Sequence, residues 1–307
     1  MSCRLAPVNP ALIDLGYAAD DRVVILHADD LGLCAAGVSS YADLVTGGLL
    51  TSASIMMPCA WAPAAAQVAA ATEGSDLGIH LTLNSEWDGC RWRPLTSPAD
   101  PNLVDEHGFF HRTVEEARRT DPETVGRELR AQVETALAWG IDVTHVDAHM
   151  GTAADPRYVA SLLEVVTTHG IAMNLPRADA AGWRSFGLGE ADAERAVELT
   201  IALEENGIPL IDHIRSLPLG DPGDHTELAI EILRDLPPGM THLLCHPAQD
   251  TPELRALCGD FAGRIADDAM LRDDRLRAAI ADLGVQLIGY RPLRDLFRTR
   301  LGRHTVG

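Results

Sequence analysis

Lysine is absent. All 25 basic residues of the 307-residue chain are arginines, so the chain has no Schiff-base lysine, no pyridoxal-phosphate chemistry of the usual kind and no Walker A phosphate lysine. Positive charge is scarce as well: 25 arginines stand against 45 Asp and Glu, a formal net charge of −20. Nucleic-acid backbones are bound by Lys/Arg neutralisation, and this deficit argues against nucleic acid as a partner. Six cysteines (Cys3, Cys34, Cys59, Cys90, Cys245, Cys258) are scattered without a CxxC pair. That scatter does not support a cysteine-built zinc site and suits reduced thiols in a cytoplasmic protein. Long apolar runs are also lacking. The longest uncharged stretch, Leu44–Thr72, is interrupted by Gly47, Gly48, Pro58 and Pro63, unlike a membrane span. The opening residues hold no apolar core of a secretory signal. The expectation is a cytoplasmic protein with no membrane partner.

What is present is an alternation. Strand-like runs occur at Arg22–Ala28, Ser52–Met57, Leu77–Leu83, Val143–Asp147, Ile171–Leu175, Leu210–Ile214, Thr241–Cys245 and Val285–Ile288. Between them lie helical patterns, among them Pro122–Trp139, Pro156–His169, Ala191–Asn206, His225–Leu236 and Asp274–Leu283. Asp-Pro pairs open two of these, and Gly170, Gly207 and Gly284 stand where glycines end helices. Such β/α alternation predicts a parallel sheet with covering helices. About eight units in a chain of this length predict one α/β domain over 1–307, a single distorted (β/α) TIM-like barrel. An open doubly wound sheet is the second reading. Asn84–Thr113 breaks the pattern, with three prolines and four aromatics. A connection this long marks 84–114, an insertion after the third strand, as a lid or binding loop. Its Trp87, Trp92, Phe109 and Phe110 are read either as faces for stacking a sugar ring or as a mini-core holding the loop.

Histidine and aspartate gather at strand ends. Asp29 and Asp30 follow the first strand and His80 lies in the third. His145, Asp147 and His149 lie in or after the fourth, and His246 ends the seventh. In a (β/α) barrel the carboxyl ends of the strands meet on one face. Two imidazoles and a carboxylate there make a three-ligand set with an open position for water, and an adjacent carboxylate can act as general base. His145, Asp147 and His149 share one strand parity. Asp147 is read as holding a ligand's other ring nitrogen or as a turn aspartate, and His145 and His242 as satisfied core histidines.

The motifs HADDLG (27–32), GIHLTL (78–83), THVDAHMG (144–151) and CHPA (245–248) together resemble the YdjC/ChbG carbohydrate deacetylases, over roughly Val23 to Leu296. The resemblance implies a metal-dependent hydrolase with one divalent cation, zinc or magnesium. It would remove an N-acetyl group from a small N-acetylated sugar. Asp30, His80 and His149 resemble the metal ligands, Asp29 the general base and His246 the general acid, with metal-bound water attacking the amide carbonyl. Arg177, in Asn174-Leu175-Pro176-Arg177 where the family often has Arg-Leu-Pro, is read as a substrate-orienting cation or a surface ion pair. Two alternatives stand beside this: a metal-dependent phosphoesterase or amidohydrolase, and a catalytically silent carbohydrate-binding barrel. A homodimer is the expected assembly.

Overall fold

The structure, a computed structural model, describes residues 5–304; Cys3 lies outside the described residues. Eight strands form: β1 (Arg22–Leu31), β2 (Ser52–Ile55), β3 (Leu77–Leu81), β4 (His145–Ala148), β5 (Ala172–Met173), β6 (His213–Ser216), β7 (Gly239–Cys245) and β8 (Gln286–Leu287). All their ladders are parallel. They pair in the order β5-β4-β3-β2-β1-β7-β6, with β8 also on β1, and the sheet forms a half-barrel. In β1, Val23, Val24, Ile25 and Leu26 are all buried. Such an unbroken apolar run is what a parallel strand needs when it is covered on both faces. Helix residues such as Leu233 and Met270 pack against Val24 and Leu26.

The eighth unit departs from the expected TIM-like arrangement. β7 pairs directly with β1 along Arg22–Ala28. β8 pairs with Val23 and Val24 at the start of β1, while β2 takes the same strand from His27 onward. A ten-residue β1 is long enough to hold both. At the far ends of the order, β5 and β6 meet only just beyond β5. There Arg177 N donates to Ile211 O (2.7 Å) and Ile211 N to Leu175 O (3.2 Å).

Helix boundaries follow local chemistry. Asp121 caps Pro122–Ala138 by accepting from Thr124 N at 2.9 Å. Gly170 ends Val159–His169 in the left-handed conformation, φ 56°. That helix starts at Val159, not at Pro156 as its sequence suggests. Asp155 instead closes the 3-10 segment His149–Ala154, accepting from Arg157 N at 3.0 Å and pairing with Arg118 at 2.6 Å. Between β3 and the short helix Val114–Ala117 the chain has no helix or strand, only an isolated bridge between Val104 and Phe110. No helix among the described residues is long and apolar enough to cross a membrane.

Candidate metal centre and catalytic site

Regular alternation would send Asp29 and Asp30 to opposite faces of β1. The register against β2 slips between Ala28 and Leu31, and Asp30 takes a left-handed backbone, φ 61°. This conformation is uncommon for a residue with a Cβ and is found where function requires it. Gly32 completes the turn at φ 90°, where a Cβ would lie 3.0 Å from the backbone of Ala62. Both carboxylates thereby reach His80 of β3: Asp30 groups with His80 and His149, and Asp29 with His80 and Asp147.

Asp30 Oδ1 is buried and has no hydrogen-bond partner. It lies 3.3 Å from His80 Nε2 and 3.2 Å from His149 Nδ1. Tetrahedral ligands at zinc-like bond lengths sit about 3.3 Å apart, so the donor set fits a divalent cation. The remaining ring nitrogens face carboxylates: His80 Nδ1 is 2.7 Å from Asp147 Oδ1, and His149 Nε2 is 3.1 Å from Glu86 Oε2. Carboxylates placed this way fix a ligating ring and raise its basicity. Arg264 Nη1 donates to Asp30 Oδ2 at 2.9 Å, and Asp260 holds the same guanidinium at 3.0 and 3.1 Å. Ser54 Oγ donates to Asp147 Oδ2 at 2.8 Å.

The charges follow from these contacts. Burial alone pushes the Asp30 carboxyl up, but Arg264 and the two imidazoles outweigh it and hold the group well below the ordinary range. Burial lowers His149, yet Asp30 and Glu86 push it up to about 9. His80 is likewise held well above its usual value, against burial, by Asp147, Asp29 and Asp30. A cation and these protons compete for the same lone pairs.

Asp29 lies beside this set. Its Oδ1 is 3.1 Å from His27 Nε2, and its Oδ2 is 3.8 Å from His246 Nε2. Burial raises the Asp29 carboxyl, but His80 and His27 bring it below its ordinary value. At the end of β7, the His246 amide donates to Asp267 Oδ2 at 2.7 Å, and Asp267 also holds His225 Nδ1 at 2.6 Å. Burial, ahead of any charge, lowers the His246 imidazole.

The structure therefore brings together Asp29, Asp30, His80, Asp147, His149 and His246. Trp87 and Trp92 are 8 % and 4 % exposed. They brace the site from behind: Arg264 lies over the Trp87 ring at 5.3 Å, and Trp92 meets the His149 ring at 6.2 Å while its Nε1 donates to Asn84 O at 2.6 Å. Arg177 stands apart. Its guanidinium is held by Glu204, by Asp212 at 2.9 Å and by Ala6 O at 2.8 Å, in a side chain only 6 % exposed. His145 and His242 are buried beside Tyr290, whose ring stacks on His145 at 3.9 Å and whose Oη is 2.8 Å from His242 Nδ1. The sequence reading missed His27, Ser54, Glu86, Arg264 and Asp267. Glu86 had one signal, an acidic residue in the long loop directly after β3. Arg264 had another, an Asp-x-x-x-Arg spacing that opens a helix.

The chain is similar to known proteins. Residues 23–282 match the family described as YdjC-like protein. A carbohydrate deacetylase from Thermus thermophilus is 36 % identical over 262 residues, 85 % of this chain and 90 % of that one. One from Thermoanaerobacter pseudethanolicus is 27 % identical over 278 residues, 89 % of this chain and all of the relative. An Enterococcus faecalis crystal structure, provisionally described as a cellobiose-phosphate cleavage protein, shares the fold with a TM-score of 0.74 at 20 % identity, over 89 % of this chain and 99 % of that one. By its ordered motifs, its fold and its relatives, the chain belongs to the YdjC-like family.

Proposed function

We propose that this protein is a carbohydrate N-deacetylase, hydrolysing the acetamide of a small N-acetylated sugar on a distorted barrel of one domain. The observation that carries the reading is the unpaired Asp30 Oδ1 between two imidazole nitrogens, with Asp29 and His246 beside it. Asp30, His80 and His149 would hold one divalent cation, zinc or magnesium. When bound, such an ion supplies Lewis acidity to the carbonyl and lowers the pKa of water.

The chain's own groups do the proton work. Asp29 Oδ1 faces His27, which leaves Oδ2 to take a proton from the attacking water. The 3.8 Å between Asp29 Oδ2 and His246 Nε2 gives that proton a short path to the imidazole. Because burial lowers His246, its protonated form gives up a proton more readily than an ordinary imidazolium and can protonate the departing amine. Asp147, Ser54 and Glu86 keep the two imidazoles in one orientation. Residues 84–114, which carry Glu86 and both bracing tryptophans, serve as the binding loop that supports this site from behind. A protein that only bound sugar would have no need for the base beside the ligands.

The test is acetate release from N-acetylated mono- and disaccharides, by wild type and Asp29→Asn. The variant should bind metal like wild type and lose about 10²–10⁴ of the rate. Near-normal turnover would refute Asp29 as base. Hydrolysis of phosphate esters in preference to acetamides would move the assignment to a phosphoesterase.

A further inference from the structure

A cleft of about 330 Å³ opens from Asp29, His80 and Asp147 toward the segments after β5. Two of its linings are large apolar side chains turned to solvent, Met150 (49 % exposed) and Phe186 (48 %). Phe186 meets Trp183 edge to face, ring centroids 5.9 Å apart at 60°, and keeps an open apolar surface of the kind that covers the C–H face of a pyranose.

Two other lining side chains each have a polar atom without a hydrogen-bond partner among the described residues. Trp183, only 8 % exposed, has a buried indole N–H without an acceptor, and the half-buried Asn174 has a buried amide oxygen without a donor. Buried polar groups are almost always paired, so an unpaired donor and an unpaired acceptor on one cleft call for a ligand. A hydroxyl supplies both halves, since it accepts from an N–H and donates to a C=O. A phosphate cannot donate to Asn174 when fully ionised, and an ammonium cannot accept from Trp183. Arg118, the only arginine among the described residues that line the cleft, is already held by Asp155 at 2.6 Å.

We infer that Trp183 and Asn174 form a subsite that reads one neutral hydroxyl of the substrate sugar while Phe186 covers its apolar face. The subsite is thereby one for a sugar hydroxyl, and not for a phosphate or an ammonium group. The inference rests on the deacetylase reading for the orientation of the sugar, but binding alone tests it.

The experiment is calorimetric titration of the metal-loaded protein with an N-acetylhexosamine, its singly deoxygenated analogues and its phosphorylated form. Wild type, Trp183→Phe and Asn174→Leu are compared. In wild type, removal of one particular hydroxyl should weaken binding about tenfold or more, as expected when buried polar groups stay unpaired. In Trp183→Phe that penalty should collapse towards none while the other analogues keep their ranking, and Asn174→Leu should act on the same hydroxyl. A gain in affinity from the phosphate that is lost in Trp183→Phe overturns the inference, as does an unchanged penalty in both variants or equal binding of every analogue. If selective binding occurs without acetate release, the deacetylase reading fails and the subsite stands. If acetate is released without hydroxyl discrimination, the subsite fails and the reading stands.

Discussion

Two carboxylates orient the two imidazoles of the metal centre, and they differ in a way that sets a measurable order. Asp147 has a side chain 3 % exposed and sits 2.7 Å from His80 Nδ1, while Glu86 is 26 % exposed and 3.1 Å from His149 Nε2. Replacing either by its amide keeps the shape and removes the charge. Loss of such a partner lowers metal affinity by about 10–100-fold. Solvent screens Glu86 and leaves Asp147 almost unscreened. Asp147 also faces His27 Nε2 at 3.0 Å and takes the Ser54 hydroxyl at 2.8 Å. Glu86→Gln should therefore fall near the tenfold end and Asp147→Asn near the hundredfold end. The assay is competition for zinc against a chelating dye at fixed pH, with circular dichroism to confirm the fold. Equal affinities for both variants and wild type would refute these carboxylates as ligand orienters. The reverse order would refute burial as what decides their strength.

Stability against pH gives a second measurement, on chelator-treated protein. His27 is fully buried and, against burial, pushed up to about 9 by Asp147 and Asp29. Its contribution is complete below the unfolded value near 6.5 and is lost as pH rises through 9. His242 is lowered to about 3, first by burial and then by His27, and His145 moves the same way. Below 6.5 the unfolded chain takes up protons that these two refuse. Denaturant titrations should therefore peak near pH 6.5 and fall on both sides, by about 1.4 kcal/mol per pH unit for each such histidine; a flat profile from pH 5 to 9 would contradict it. Gly78→Ala would place a Cβ 2.4 Å from the His145 ring; a loss of about 1–3 kcal/mol is expected by thermal melting, and an unshifted melt would show that the ring can move aside. Asp30→Gly should melt above Asp30→Ala, since only alanine pays for φ 61° there, about 1–2 kcal/mol; identical melts would mean that the turn relaxes once the carboxylate is gone.

Much of the site was legible because strand ends converge. Asp30, His80 and His149 are far apart in sequence, and β/α alternation brings their strand ends together, while the register slip and positive φ at Asp30, which the sequence does not announce, turn its carboxylate to the imidazoles. The supporting residues were not, because Glu86 comes from an irregular loop and Arg264 from a helix that no strand motif announces. Their meaning depends on which side chain each one faces, which spacing does not encode. Trp87 and Trp92 show the same limit from the other direction. Aromatic composition signalled a role for the loop, but the structure turns those rings inward, and the exposed aromatic at the cleft is Phe186, from a segment without a motif. For Arg177 the sequence leaves a substrate-orienting cation and a surface ion pair both open; Glu204 and Asp212, well downstream, decide for an ion pair, and a buried one. The short strand β8 and its place beside β1 follow from a barrel of eight units, but the direct pairing of β7 with β1 does not, since the length of β1 decides how many neighbours it can hold.

The seam between β5 and β6 bears on how a sugar enters. Asn174, Leu175 and Pro176 on one side and Ile214 on the other line the cleft, and the backbone bonds joining those sides are the few around Ile211. The ladder of β1 with β7, by contrast, spans seven residue pairs and ends at Ala28, directly before Asp29 and Asp30. Local opening is cheapest where cross-strand bonds are fewest. The seam is thus the side of the cleft where local opening is expected first, and the β1–β7 ladder the side where it is expected last. In hydrogen exchange the amides of Arg177 and Ile211 should open well before those of Val24 and Ile25, and a bound sugar should slow the first pair alone.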